Sequence, residues 1–134
     1  TPRLVDRVIT PDLRTEREYE DAEFSRPLSG ATAASLTAMM EQVVSDPAGT
    51  GYLASIPGVR VAGKTGTAEN GTDASGAERP YTLWFTGFAP VEDPQIAVAV
   101  VIANGGGEAY EYQGSSYDLP TRVGKLMMEA VLNQ

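Results

Sequence analysis

Lysine is the scarcest charged side chain among these 134 residues, present only as Lys64 and Lys125. Lys64 closes a run with chemical meaning. Gly58 to Thr65 reads G-V-R-V-A-G-K-T, which satisfies the P-loop formula G-x-x-x-x-G-K-[ST], whose backbone amides and lysine cradle phosphate. That chemistry needs a strand ending before the first glycine, a flexible loop and a helix starting at the lysine. None of the three is written here. Pro57 stands where the strand should end, and Val59-Arg60-Val61-Ala62 is an alternating, β-branched segment that favours a strand. After Lys64, two glycines and two threonines within Thr65 to Gly71 make poor helix material. The flanks therefore place Lys64 in or near the end of a strand and leave nucleotide binding a remote alternative.

Composition prunes other chemistries. With no cysteine and no histidine, thiol nucleophiles, disulfides, Cys/His zinc sites and a Ser-His-Asp triad are all excluded within this chain. No metal and no cofactor is expected. A serine nucleophile served by a lysine base stays open. Net charge is -8 and the pI about 4.4, with Glu16, Glu18, Glu20, Asp21 and Glu23 clustered in what reads as a solvated acidic loop. This balance argues against a nucleic-acid partner, which would want basic patches. No apolar run approaches the roughly 18 residues of a membrane helix, and no signal peptide opens the sequence. Because the first residue is Thr1, the expectation is a fragment or processed product, with export specified elsewhere.

The elements that must position Lys64 follow from periodicity. Arg3 to Thr10, between Pro2 and Pro11, reads as a short strand. Leu36, Met39, Met40, Val43 and Val44 recur at helical spacing, with Ser29 or Thr32 as N-cap, Asp46-Pro47 as the stop, and both methionines expected in the core. A strand from Val59 carries Lys64, and Asn70 to Pro80 reads as a mobile polar loop. Tyr81 to Phe88 and Ile96 to Ile102 are strands whose short connector, Ala89 to Gln95, favours an antiparallel hairpin. On the second of them Ile96, Val98, Val100 and Ile102 share one face, and Ala97, Ala99 and Val101 share the other. Both faces are apolar, so both are expected to be covered, the alanine side by a closely packed helix. That helix begins at Asp118-Leu119-Pro120 and carries Val123, Leu126, Met127, Ala130 and Val131. The predicted architecture is α+β in one domain: an antiparallel sheet of three or more strands covered by helices.

In this order of parts the chain resembles the C-terminal portion of a penicillin-binding protein transpeptidase domain. The resemblance rests on the helix ending in Val43-Val44, on Gly49-Thr50-Gly51, on Val61 to Glu69, on Trp84-Phe85-Thr86-Gly87-Phe88-Ala89-Pro90 and on Ile96 to Ile102. It covers nearly the whole chain and is nearest to class B enzymes of the penicillin-binding protein A type. It implies the penicillin-binding/serine β-lactamase-like transpeptidase fold and a D,D-transpeptidase that cross-links peptidoglycan. In such enzymes a serine attacks the penultimate D-alanine carbonyl of a stem peptide, releases D-alanine and passes the acyl group to an amine. Penicillins mimic the D-alanyl-D-alanine end and trap the acyl-enzyme. By resemblance, Lys64 places positive charge beside the substrate carboxylate and the proton-relay serine. Thr65 and Thr67 donate hydroxyl hydrogen bonds to that carboxylate, and Gly66 leaves room for the substrate backbone along the strand. The Thr67 N–H would form half of an oxyanion hole, a donor typically worth about 3 kcal/mol in the barrier.

The family carries three motifs, S-x-x-K, S-x-N and K-T-G, and only the third is present. The S-x-x-K serine positions hold Val61 and Arg122, and the S-x-N serine positions hold Ala68, Ile102 and Val131. No nucleophile of that kind lies in residues 1–134. The expectation is one segment of a transpeptidase domain, inactive alone, whose partners are a complementary N-terminal part with the two missing motifs, a peptidoglycan stem peptide and β-lactams. Its place would be extracytoplasmic, tethered to the cytoplasmic membrane through a segment not contained in this chain. A serine β-lactamase and a non-catalytic β-lactam-binding sensor domain are the alternatives on the same fold. Gly105-Gly106-Gly107 with Tyr110, Tyr112 and Tyr117 reads as an ordinary connector to the last helix.

Overall fold

The fold is described from a computed structural model, for residues 5–20, 25–106 and 118–133. The sequence expectations for residues 3–4, Asp21, Glu23 and the tyrosine-bearing connector at 107–117 lie outside the described residues. The chain forms two compact units, residues 1–30 and 31–134.

In the first unit β1 (Arg7–Ile9) pairs antiparallel with β2 (Thr15–Glu18), Arg7 opposite Glu18 and Val8 opposite Arg17. The tight connection is closed by Thr10, whose N–H donates to the Arg14 carbonyl at 2.9 Å and whose hydroxyl accepts from the Arg14 N–H at 3.2 Å. Part of the expected acidic loop is therefore a strand. Arg17 interrupts the run of like charge, and Arg7 stands opposite Glu18, so pairing is supported without burial.

The second unit runs α1 (Gly30–Ser45), a single 3-10 turn (Tyr52–Ala54), β3 (Ala62–Ala68), β4 (Tyr81–Ala89), β5 (Ile96–Gly106) and α2 (Asp118–Leu132). The three strands form one antiparallel sheet in the order β3-β4-β5, in keeping with the predicted α+β class. The Lys64 strand starts at Ala62 rather than Val59, because Ile56 to Val59 first closes a tight turn through Gly58 at φ 78°. Asn70 to Pro80 is a hydrogen-bonded hairpin extension rather than an open loop. Asp73 accepts from the Ser75 and Ala77 N–H groups at 2.8 and 3.1 Å, and Asn70 Nδ2 donates to the Pro80 carbonyl at 2.6 Å. The Ser75 hydroxyl, which donates at 2.6 Å, and the Ser75 and Ala77 N–H groups hold the Asp73 carboxyl below its ordinary pKa.

Three expectations about packing are overturned. Helix α2 covers the face bearing Leu83, Phe85, Val98 and Val100, and not the alanine face, which is left exposed together with Val101. The helix also meets the sheet through Pro120, Thr121, Gly124 and Met128, leaving Leu126 65% exposed and Met127 outward. Close approach explains the rotation. A Cβ on Gly124 would lie 2.5 Å from the Phe85 ring, so the helix comes within contact of that ring only through the small residue. Gly63 and Gly87 crowd the same ring from the sheet, at 2.7 and 3.0 Å from a hypothetical Cβ. On α1, Val44 is buried but Met39 is 58% exposed, so of the two methionines expected in the core only Met40 is partly covered.

Candidate functional site

Strand β3 lies at one edge of the sheet, and its interior holds Lys64, Thr65, Gly66 and Thr67. Burial of Val61, Ala62 and Gly63 anchors its first half. Beyond Lys64 the chain continues as strand to Ala68, so no helix N-terminus is available to phosphate and the P-loop alternative falls.

Residues opposite one another in an antiparallel pair share a face. Lys64 faces Thr86 and Gly66 faces Trp84 on the open side, while Thr65 faces Phe85 and Thr67 faces Leu83 on the side that α2 covers. Lys64 and Thr65 thus point to opposite faces, as an ideal strand requires. What brings the cation back to the strand is its length: the exposed Lys64 side chain folds so that Nζ donates to the Thr65 carbonyl. The Thr65 side chain goes the other way. It is 8% exposed, and its Oγ1 lies 2.8 Å from Thr50 Oγ1. Thr67 is exposed, and Gly66 is partly covered.

The turn that offers Thr50 is built against the C-terminal end of α1. The Gly49 N–H donates to the Asp46 carbonyl at 2.8 Å and the Gly51 N–H to the Val43 carbonyl at 3.0 Å. A Cβ on Gly49 would fall 2.3 Å from the Val43 carbonyl oxygen, so only glycine fits there. In the sequence Gly49-Thr50-Gly51 entered only as part of the resemblance, and Thr50 had no role. A threonine fenced by two glycines was the available signal. Its partner, fifteen residues away, was not legible.

Gly66 differs from Gly63. A Cβ at Gly66 would meet Trp84 Cβ at 3.4 Å, ordinary contact, whereas Gly63 is forced by the Phe85 ring. Packing among the described residues thus explains one glycine of β3 and not the other. Arg60, just before the strand, forms a double hydrogen bond with Glu41 of α1 at 2.6 and 2.7 Å. That contact holds the Glu41 carboxyl below, and the Arg60 guanidinium above, their usual ranges.

The second lysine takes no part in this site. Lys125 lies on α2, 3.8 Å from Glu129, beside an open groove of about 600 Å³ lined also by Tyr52, Ser55 and Leu126. Among the described residues no group of three or more Asp or Glu is placed to hold a metal ion, and no helix is long and apolar enough to cross a membrane.

Comparison with known proteins gives concordant results. The family model for the penicillin binding protein transpeptidase domain matches residues 1–127. The peptidoglycan D,D-transpeptidase PbpA of Mycolicibacterium smegmatis is 36% identical over 136 aligned positions, spanning 99% of this chain and 26% of that protein. The crystal structure of PBPA from Mycobacterium tuberculosis superposes with a TM-score of 0.67 at 34% identity, covering 98% of this chain and 29% of that one. The ceftriaxone acyl-enzyme complex of penicillin-binding protein A from M. tuberculosis superposes with a TM-score of 0.69 at 34% identity, covering 98% and 28%. The chain thus spans between a quarter and a third of the length of these relatives.

Proposed function

Since the chain belongs to the penicillin-binding protein transpeptidase family, we propose that it is the substrate-holding segment of a serine D,D-transpeptidase that cross-links peptidoglycan stem peptides and is acylated by penicillins. The observation that carries this reading is the placement of Lys64, Thr65, Gly66 and Thr67 on a strand at the edge of the sheet, with a glycine that packing does not demand, both among the described residues. An edge strand presents unpaired backbone groups, and a peptide, or a β-lactam that imitates one, can add to it as a further strand. In this reading Gly66 keeps the strand free of a side chain, so that the ligand backbone can lie along it.

The chemistry divides as follows. A serine on the complementary segment attacks the penultimate D-alanine carbonyl. Its proton passes to a base, the tetrahedral oxyanion is held by N–H donors, and D-alanine leaves with a proton. The amine of a neighbouring stem peptide then takes the acyl group and the serine regains its hydrogen. In this scheme Lys64 supplies positive field to the substrate carboxylate and the proton relay, Thr65 and Thr67 donate hydroxyls, and the Thr67 N–H is one oxyanion donor, worth about 3 kcal/mol. The nucleophile and its lysine come from a segment carrying S-x-x-K and S-x-N. Because the substrate is cell-wall peptide, the complete protein works outside the cytoplasm, held at the membrane by a part other than residues 1–134.

Fluorescent penicillin provides the test. The complete protein should be labelled on the serine of the S-x-x-K segment and should release D-alanine from a stem-peptide mimic. Label on any serine of residues 1–134, or rapid turnover of the penicillin instead of a lasting acyl-enzyme, would overturn the assignment.

A further inference from the structure

Thr50 lies outside the Lys-Thr-Gly-Thr run and the scheme above assigns it nothing, yet its hydroxyl oxygen is 2.8 Å from that of Thr65. The contact joins an exposed Thr50 on a fixed backbone to a buried Thr65. Thr50 sits between two glycines fastened to the end of α1 by the Gly49 and Gly51 N–H groups. Thr65, at 8% exposure, has little solvent to turn to instead.

A pair of hydroxyls carries two protons and uses one between the oxygens. The order of donation therefore decides what Thr65 can do next. If Thr65 gives its proton to Thr50, it presents only lone pairs to an incoming anion. If Thr50 gives its proton to Thr65, the Thr65 proton is left free to point outward, and a donor that is itself accepting a hydrogen bond is polarised in the favourable sense. An anion beside β3 selects the second order.

We propose that Thr50 is a positioning residue: its hydroxyl donates to Thr65 Oγ1 and so aims the Thr65 proton at the carboxylate of the bound stem peptide or β-lactam. This rests on the functional reading above, in which Thr65 meets that carboxylate, and it extends the site to a turn outside the motif. Thr50 touches no reacting atom. Its effect passes entirely through Thr65, so it should depend on the ligand's negative charge.

The experiment measures acylation efficiency of the complete protein by a penicillin and by the same penicillin with its carboxylate masked as a methyl ester. Thr50→Val keeps the shape and removes the donor. It should slow acylation by the free acid about tenfold or more, the size expected for losing a hydrogen bond to a charged group. The ester should change less than about twofold, and Thr50→Ser, which restores the hydroxyl, should return the free acid to within about twofold of wild type. In Thr65→Val, adding Thr50→Val should cost nothing more, because the two side chains act as one unit. Equal losses on acid and ester, a serine variant as poor as the valine, additive effects, or an unaffected Thr50→Val each overturn the proposal while the functional reading stands. A wild-type protein that penicillin does not acylate overturns both.

Discussion

At Gly66 a methyl group would find room among the described residues, and at Gly63 it would not. The two glycines, three residues apart on one strand, should therefore fail differently when replaced by alanine. Gly63→Ala drives a Cβ to 2.7 Å from a ring that is 1% exposed, an overpacking that costs about 1–3 kcal/mol, read as a lowered melting temperature. Gly66→Ala should melt with the wild type and lose acylation by penicillin, on the order of 10²-fold if the ligand is displaced by about 1 Å. A Gly66→Ala protein that is acylated normally would remove the argument that this glycine serves the ligand. Much at this scale was legible from the sequence: Lys64 to Thr67 were found as a motif, and their flanks reduced phosphate binding to a remote alternative. What composition and spacing could not supply was the side-chain pairing. Thr65 was expected to face substrate outright, and its link to Thr50 exists only because α1, the turn and β3 converge in space.

Between elements, the bond that fastens β3 to α1 is ionic. Arg60 precedes the strand and grips Glu41 through two hydrogen bonds, while its own carbonyl accepts from the Val91 N–H at 2.9 Å. The Glu41 carboxyl is held below its ordinary value of 4.5, chiefly by the hydrogen bond from Arg60. A depressed carboxyl pKa means that the unfolded chain binds the proton more readily, so the contribution is present above about pH 4.5 and is lost as pH falls through the lower folded value. Glu41→Gln, which cannot titrate, should therefore show a shallower loss of melting temperature between pH 6 and 3 than the wild type. Parallel curves would mean that solvent screens the pair to insignificance, the usual fate of exposed ion pairs. Elements themselves were read well from periodicity: α1, the β4-β5 hairpin and α2 stand where spacing put them. Facing was read less well. The helical stripe through Leu126 and Met127 was chosen by bulk, whereas α2 approaches the sheet through Thr121 and Gly124, where the absence of bulk admits the Phe85 ring.

The sequence of β5 is apolar on both faces, and only one of them is covered within the described residues. Helix α2 takes the side bearing Val98 and Val100, while Val101 is left 50% exposed and Trp84, its neighbour across the strand pair, 45%. A sheet whose two sides are both apolar belongs between two layers. With the chain spanning about a quarter of the PbpA relative, the missing layer is assigned, as part of the functional proposal, to the segment that brings the nucleophile. Val101→Asp in the complete protein tests the assignment through thermal or denaturant unfolding. On a face left to water, aspartate in a strand costs no more than about 1 kcal/mol, the span of strand preferences. Against a packed layer, the short side chain has no route to solvent, and an unpaired carboxylate there costs about 3 kcal/mol or more, much of it relieved as the pH falls and the group protonates. A small, pH-independent loss would place the complementary segment elsewhere and leave this face of the sheet open in the complete protein.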